Sequence, residues 1–106
     1  MRETSKLCPR FESAFKILGK RWNGLIIRML AQQPLRFGEL DQAIPDLSAR
    51  MLAARLKELE KEGLILRSVF PEVPVRIEYS LSEQGSELEE ALDSVQIWAD
   101  KWKRTP

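Results

Sequence analysis

Residues 48–81 read SARMLAARLKELEKEGLILRSVFPEVPVRIEYSL, and the spacing of their apolar residues changes halfway along. Up to Gly63 the pattern is helical. Ser48 suits an N-cap, because its hydroxyl accepts a bond from an orphan amide of the first turn, and Leu47 and Leu52 stand at the spacing of a hydrophobic staple. Leu52, Leu56 and Leu59 recur at i, i+4 and i+7, which places them on one stripe facing a core. Gly63 ends the helix, since a left-handed residue after the last turn costs glycine least. The opposite meridian carries Arg50, Ala54, Lys57 and Lys61.

Beyond Gly63 the period becomes 2. Leu64, Leu66 and Phe70 alternate with Ile65, Arg67 and Val69, and then Val75, Ile77, Tyr79 and Leu81 alternate with Arg76, Glu78 and Ser80. That is the signature of a hairpin with half-buried strands over about 64–81. Pro71 and Pro74 confine the irregular tip to PEVP; they fix φ and cannot extend the ladder, so the tip is expected to protrude as a stiff loop.

A helix over about 48–62 with a basic outer face, running directly into a hairpin, has the order of a DNA-recognition helix followed by a wing. Charge on an outer face also fits a plainly solvated helix. What distinguishes this one is the small Ala54 between basic residues, which lets the helix approach a groove. Arg50 then reaches base edges or phosphates, and Lys57 neutralises a phosphate. Arg76 is placed at the adjacent minor groove or its phosphates, although an ordinary surface arginine beside Glu78 would look the same. The candidate DNA contacts are Arg36, Ser48, Arg50, Met51, Ala54, Arg55, Lys57 and Arg76.

Composition narrows the alternatives. The 106 residues suit one domain over 1–106 with a single core. With 17 Lys+Arg against 16 Asp+Glu there is no global basic signature. The distribution is uneven, however: Arg2, Lys6, Arg10, Lys16, Lys20, Arg21 and Arg28 face only Glu3 and Glu12 in the first part, whereas the charges from Glu83 to Asp93 are all acidic. Such a molecule can hold one surface to DNA and keep another away. No apolar run approaches the roughly 20 residues needed to span a bilayer, and the charged start lacks the apolar region of a signal peptide, so no membrane partner and a cytoplasmic location are expected. With no histidine and one cysteine, no metal site is expected. No phosphate-cradling glycine loop appears, and neither a cofactor nor catalysis is expected.

The flanking segments complete the order. Pro9 suits the first position of a helix through about Leu18, with Phe11, Ala14, Phe15 and Leu18 on its apolar side and Gly19 closing it. A second helix from about Asn23 to Ala31 is apolar around most of its circumference and is expected at the centre of the domain. Pro34 stops it, Arg36 and Phe37 form a short extended link, and Gly38 to Ile44 make a brief helix with Leu40 and Ile44 inward. The fold class is therefore mainly α with a small β-hairpin (α+β), a winged helix-turn-helix.

The last segment starts at Ser82, a natural N-cap, and its helix covers about 83–103. Leu88, Leu92, Val95, Ala99 and Trp102 follow one stripe, flanked by Ala91 and Trp98. Part of it must pack on its own domain. Some 20 residues make a stripe of roughly 30 Å, longer than so small a domain covers, and tryptophan is enriched at interface anchors. The N- and C-terminal helices are thus expected to form a homodimer, with Phe11, Phe15, Leu88, Leu92, Val95, Trp98 and Trp102 at its interface. Two recognition helices would then lie about 34 Å apart, facing a palindromic operator in double-stranded DNA.

Together the Cys8-Pro9 opening, the Gly19-Lys20-Arg21-Trp22 approach to the second helix, Arg36-Phe37-Gly38-Glu39-Leu40, the Leu56 to Ile65 run, the Arg67 strand and the Pro71 to Ser82 wing resemble the HxlR-type transcriptional regulators, winged helix-turn-helix proteins related to the MarR group. The resemblance covers about Cys8 to Trp102. It implies a homodimer joined by its first and last helices, whose affinity for an operator changes with a chemical signal and which acts as a repressor or an activator.

Cys8, the only cysteine, falls beside the expected N-cap of the first helix. The helix dipole and free amides favour a thiolate there, and Lys6 and Arg10 add positive charge. Some members of the family carry an N-terminal cysteine that senses quinones, aldehydes or oxidants, and the resemblance implies the same role for Cys8. One cysteine leaves adduct formation, a mixed disulfide or a bridge between subunits. A small structural N-cap residue would look identical. Two other functions share these patterns: a regulator whose signal is a small ligand held without a covalent bond, and a winged helix that binds proteins rather than DNA.

Overall fold

A computed structural model describes residues 8–103 of the chain. Five helices and one hairpin follow in the order α1 (Pro9–Leu18), α2 (Asn23–Leu30), α3 (Phe37–Ala43), α4 (Ala49–Lys61), β1 (Ile65–Phe70), β2 (Arg76–Leu81) and α5 (Glu83–Trp102). This is the winged-helix arrangement.

The core forms where α2, α3 and α4 meet. Ile26, Ile27 and Leu30 of α2, Leu40 of α3, and Leu52, Leu56 and Leu59 of α4 are buried together with Ile44, Leu47, Leu64 and Ile65. Helix α4 begins as its sequence requires: the Ser48 hydroxyl accepts the Met51 amide at 3.0 Å, and both staple residues lie in the core. It ends at Gly63, whose φ of +84° only glycine adopts without strain.

The strands pair antiparallel in the register Ile65↔Leu81, Arg67↔Tyr79 and Val69↔Ile77. Leu35 adds a short third rung, exchanging both backbone bonds with Tyr79 at 3.0 and 2.8 Å. The base of the wing is thereby tied to the α2–α3 connection.

Several expectations are corrected. Helix α2 lies at the centre as expected and closes at Leu30 with Ala31 as its cap, but the detail differs: Leu25 is 45% exposed while the polar Asn23 is wholly buried. Phe37, expected in an extended link, is the first residue of α3, and the Arg36 amide donates to the Glu39 carboxylate at 2.8 Å. The hairpin does not divide as its alternation suggested. Register puts Leu66 and Phe70 on the face that carries Arg76 and Glu78, while Ile65 is buried beside Tyr79 and Leu81, which pack on the core. Leu66 is accordingly 52% exposed.

Helix α5 starts in direct contact with the end of α4. The Ser82 hydroxyl donates to the Gly63 carbonyl at 2.6 Å and accepts the Gly85 amide at 3.0 Å. Gly85 is buried so close that a Cβ there would stand 2.0 Å from the Leu64 carbonyl oxygen. Further along, Arg28 of α2 bonds Glu89 and Asp93 of α5 at 2.9 and 2.6 Å. The basic first part and the acidic last part of the chain therefore meet. Beyond them α5 projects, and the molecule measures 60 × 35 × 24 Å.

Candidate nucleic-acid interface

The outer face of α4 is set by its period. Because Leu52, Leu56 and Leu59 point inward, Arg50, Ala54, Lys57 and Lys61 are carried outward, and all four are exposed. Arg50, Lys57 and Lys61 have no salt-bridge partner among the described residues. Their charges remain available to an anion. Ser48 is exposed at the helix start; its oxygen accepts the Met51 amide, and its O–H is left to donate. Met51 is 40% exposed beside it.

Between α4 and the wing lies a hollow of about 410 Å³ lined by Phe37, Ala53, Lys57, Glu60, Arg67 and Tyr79. Register explains why Arg67 is there: it pairs with Tyr79, whose backbone is held by Leu35, so β1 presents Arg67 toward α4. Arg67 is exposed and has no salt-bridge partner among the described residues. In the sequence Arg67 reads as a strand residue only. Its alternation with Leu66 was visible, but which face met α4 depends on the register.

The remaining candidates differ in kind. Arg36 is exposed at the start of α3. Arg55 lies on a flank of α4, half-buried, with its Nη1 3.8 Å from Glu58 Oε1 and its Nε buried without a partner. Arg76 is enclosed. Its guanidinium stacks 3.9 Å over the Phe70 ring and bonds Glu72 at 2.9 Å and Glu78 at 2.5 Å. The bonds it donates to Glu72 and Glu78 raise its pKa, and Arg76 in turn holds the Glu72 carboxyl below the usual carboxylate range. One cation between two carboxylates leaves the wing tip locally negative. Arg76 reaches a phosphate only by releasing a carboxylate.

Cys8 is the half-exposed N-cap of α1, with Pro9 in the first turn and the Glu12 amide donating to its carbonyl at 3.0 Å. Its side chain makes no capping bond. Lys6 and Arg2 lie outside the described residues.

Helix α1 buries none of its residues. Phe11 and Phe15 pack with their rings tilted 52° and centroids 4.9 Å apart, and they are 65% and 53% exposed. On α5, Leu88 and Leu92 are half-buried against the chain's own core, whereas Val95, Ile97, Trp98 and Trp102 are 53–68% exposed. Ile97 was missed in the sequence because it stands off the main stripe. Among the described residues no group of metal-binding side chains occurs, and no helix is long and apolar enough to cross a membrane.

The chain has well-matched relatives. A family profile described as HxlR-like helix-turn-helix matches residues 17–106. The HTH-type transcriptional regulator YodB of Bacillus subtilis is 50% identical over 96 residues, 91% of this chain and 86% of YodB. The structure of reduced YodB superposes with a TM-score of 0.83 at 50% identity, covering 91% of this chain and 94% of that one. Quinone-bound YodB superposes with a TM-score of 0.79 at 46% identity, covering 90% and 100%.

Proposed function

This chain belongs to the HxlR-like helix-turn-helix family of transcriptional regulators, and from that premise we propose that it binds a palindromic operator as a homodimer and releases or engages it when Cys8 is modified. The observation that carries the DNA reading is the set of exposed cations on α4 and in the hollow beside the wing: Arg50, Lys57, Lys61 and Arg67. Helix α4 enters the major groove. Arg50 near its N-terminus faces base edges, and Lys57 and Arg67 hold phosphates on either side of the hollow. A winged helix that only bound proteins would have no use for free cations at these positions.

Self-association is supported by α1. A helix of 10 residues with no fully buried residue, held to the core mainly through Ile17, is marginal in water. A second copy laying Phe11 and Phe15 against Val95, Ile97, Trp98 and Trp102 would cover both surfaces at once.

The signal reading rests on Cys8 at the N-cap of that same helix and on the quinone bound by the relative YodB. The Cys8 sulfur adds to a ring carbon of a quinone, forming a C–S bond; the hydrogen displaced from that carbon and the thiol's own proton end on the two ring oxygens, giving the hydroquinone. Helix α1 then carries a bulky group at the dimer surface. A second reading is favoured by a groove of about 500 Å³ between α1, the end of α4 and α5, lined by Arg10, Ile17, Glu62, Leu64, Glu87 and Leu88 among others. A small ligand seated there would act without a covalent bond. The deciding experiment is a gel shift on the chain's own promoter region with and without benzoquinone, using the unsubstituted protein and Cys8→Ser. Loss of the response in Cys8→Ser supports the covalent reading; an unchanged response supports the groove.

A further inference from the structure

The junction between α1 and α2 touches α4 through one carboxylate. Lys20 of the junction pairs with Glu58 Oε2. Asn23, wholly buried at the start of α2, donates its amide to the Ile17 carbonyl at 2.9 Å and to Glu58 Oε1 at 3.4 Å. The same Oε1 lies 3.8 Å from Nη1 of Arg55. Glu58 is thus shared between the end of α1 and an arginine of α4.

Two features mark this cluster as more than a surface pair. Asn23 Oδ1 and Arg55 Nε are both buried without partners, a cost that a helix surface placed for stability alone would avoid. And the junction is held in an unusual form: Trp22, immediately before Asn23, has φ +84°, a conformation few bulky residues adopt. The Asn23 bond to Ile17 closes that turn, so a displacement of α1 is transmitted to Asn23 and Lys20 rather than absorbed by a flexible link.

We propose that Glu58 is a positioning residue that couples the α1–α2 junction to the DNA-binding face: while Lys20 and Asn23 hold its carboxylate, Arg55 Nη1 stays 3.8 Å from it, beyond hydrogen-bond distance, and can turn to a DNA phosphate; when they withdraw, Glu58 closes on Arg55 and draws it inward. This rests on the reading of α4 as the DNA-binding helix. Lys20 and Arg55 need never touch; they pull on the two oxygens of one carboxylate. Movement of α1, from whatever cause, then changes operator affinity without altering the α4 backbone.

A double-mutant cycle on the chain's own promoter fragment tests this, by fluorescence anisotropy with no electrophile present. Lys20→Ala is expected to weaken binding about threefold or more, the size of coupling found within shared networks. The loss should vanish in the Arg55→Ala background, because the residue being positioned is gone, and in the Glu58→Gln background, because a neutral amide no longer draws the guanidinium. Thermal unfolding of each variant, followed alongside, separates this from simple destabilisation, which would persist in both backgrounds. Additive losses of Lys20→Ala and Arg55→Ala, or no loss for Lys20→Ala alone, would overturn the coupling while leaving the DNA reading intact. No binding by the unsubstituted protein would overturn the DNA reading and the coupling with it.

Discussion

The guanidinium of Arg28 lies 2.6 Å from the carboxylate of Asp93, fastening α2 at the centre of the core to the middle of the projecting helix α5. Glu89 completes the clasp at 2.9 Å, and these partners raise the Arg28 pKa. Together with the Ser82–Gly63 bond at the start of α5, this gives the projecting helix two fixed points on the domain.

Replacement of Arg28 by Ala should leave the core intact and free the outer half of α5. Hydrogen exchange is the suitable probe: amides from Glu89 to Ala99 should exchange faster, while those of Leu52 to Leu59 keep their protection. Uniform acceleration in both helices would mean that Arg28 supports the core rather than the angle of α5.

Gly85→Ala should be costly for so small a change. A Cβ at 2.0 Å from the Leu64 carbonyl meets backbone, which cannot rotate away, so the start of α5 must shift. A loss of about 1–3 kcal/mol in urea unfolding is expected, as for other overpacked sites. Gly38→Ala, whose Cβ would meet nothing within 4 Å, is the control.

Features set by near neighbours in the chain are legible in the sequence, and those set by pairing at a distance are not. Local features were legible: Ser48 as a cap, Gly63 as a stop, and the Leu52–Leu56–Leu59 stripe each follow from neighbours a few residues away. The candidate cations of α4 followed from the same period, and the structure leaves Arg50 and Lys57 exposed. What failed depended on pairing at a distance. The hairpin faces were misjudged because Ile65, Leu66 and Leu64 are all apolar, and only the register with β2 decides that Leu66 turns outward. Glu78 beside Arg76 is visible in the sequence, but not that Glu72 closes on it from the tip, and Arg67 gains its place only from the position of Tyr79. Asn23 could not be foreseen as a buried residue, since its partners Ile17 and Glu58 come from separate segments.

Acid should loosen the junction between α1 and α4. The bond from Lys20 holds the Glu58 carboxyl below its ordinary value of 4.5, against the opposing effect of burial. A carboxyl whose folded pKa is depressed favours the folded state fully above the unfolded value. That contribution is lost as pH falls below about 4.5 and through the lower folded value. Urea midpoints between neutral pH and pH 3 should therefore fall less steeply for Glu58→Gln than for the unsubstituted protein. Parallel profiles would show that Glu58 adds nothing to folding.

The exposed aromatic residues of α5 predict the oligomeric state. Trp98→Ala or Trp102→Ala should raise the dimer dissociation constant by about thirtyfold, roughly 2 kcal/mol, as truncation of an interface anchor does. Sedimentation at several concentrations checks this. Leu88→Ala, which truncates a residue packed on its own core, should lower the unfolding temperature instead.

The most direct test of the account is operator affinity as a function of salt, measured on the promoter fragment for the unsubstituted protein, Lys57→Ala and Arg67→Ala. Counterion release makes log affinity fall linearly with log salt, with a slope of about −0.9 per phosphate held. With α4 and the wing against DNA, the slope should be steep for the unsubstituted protein and shallower by about 1 for each variant, with all sequences weakened alike. Unchanged affinity and slope in both variants would contradict the placement of DNA against α4 and the wing.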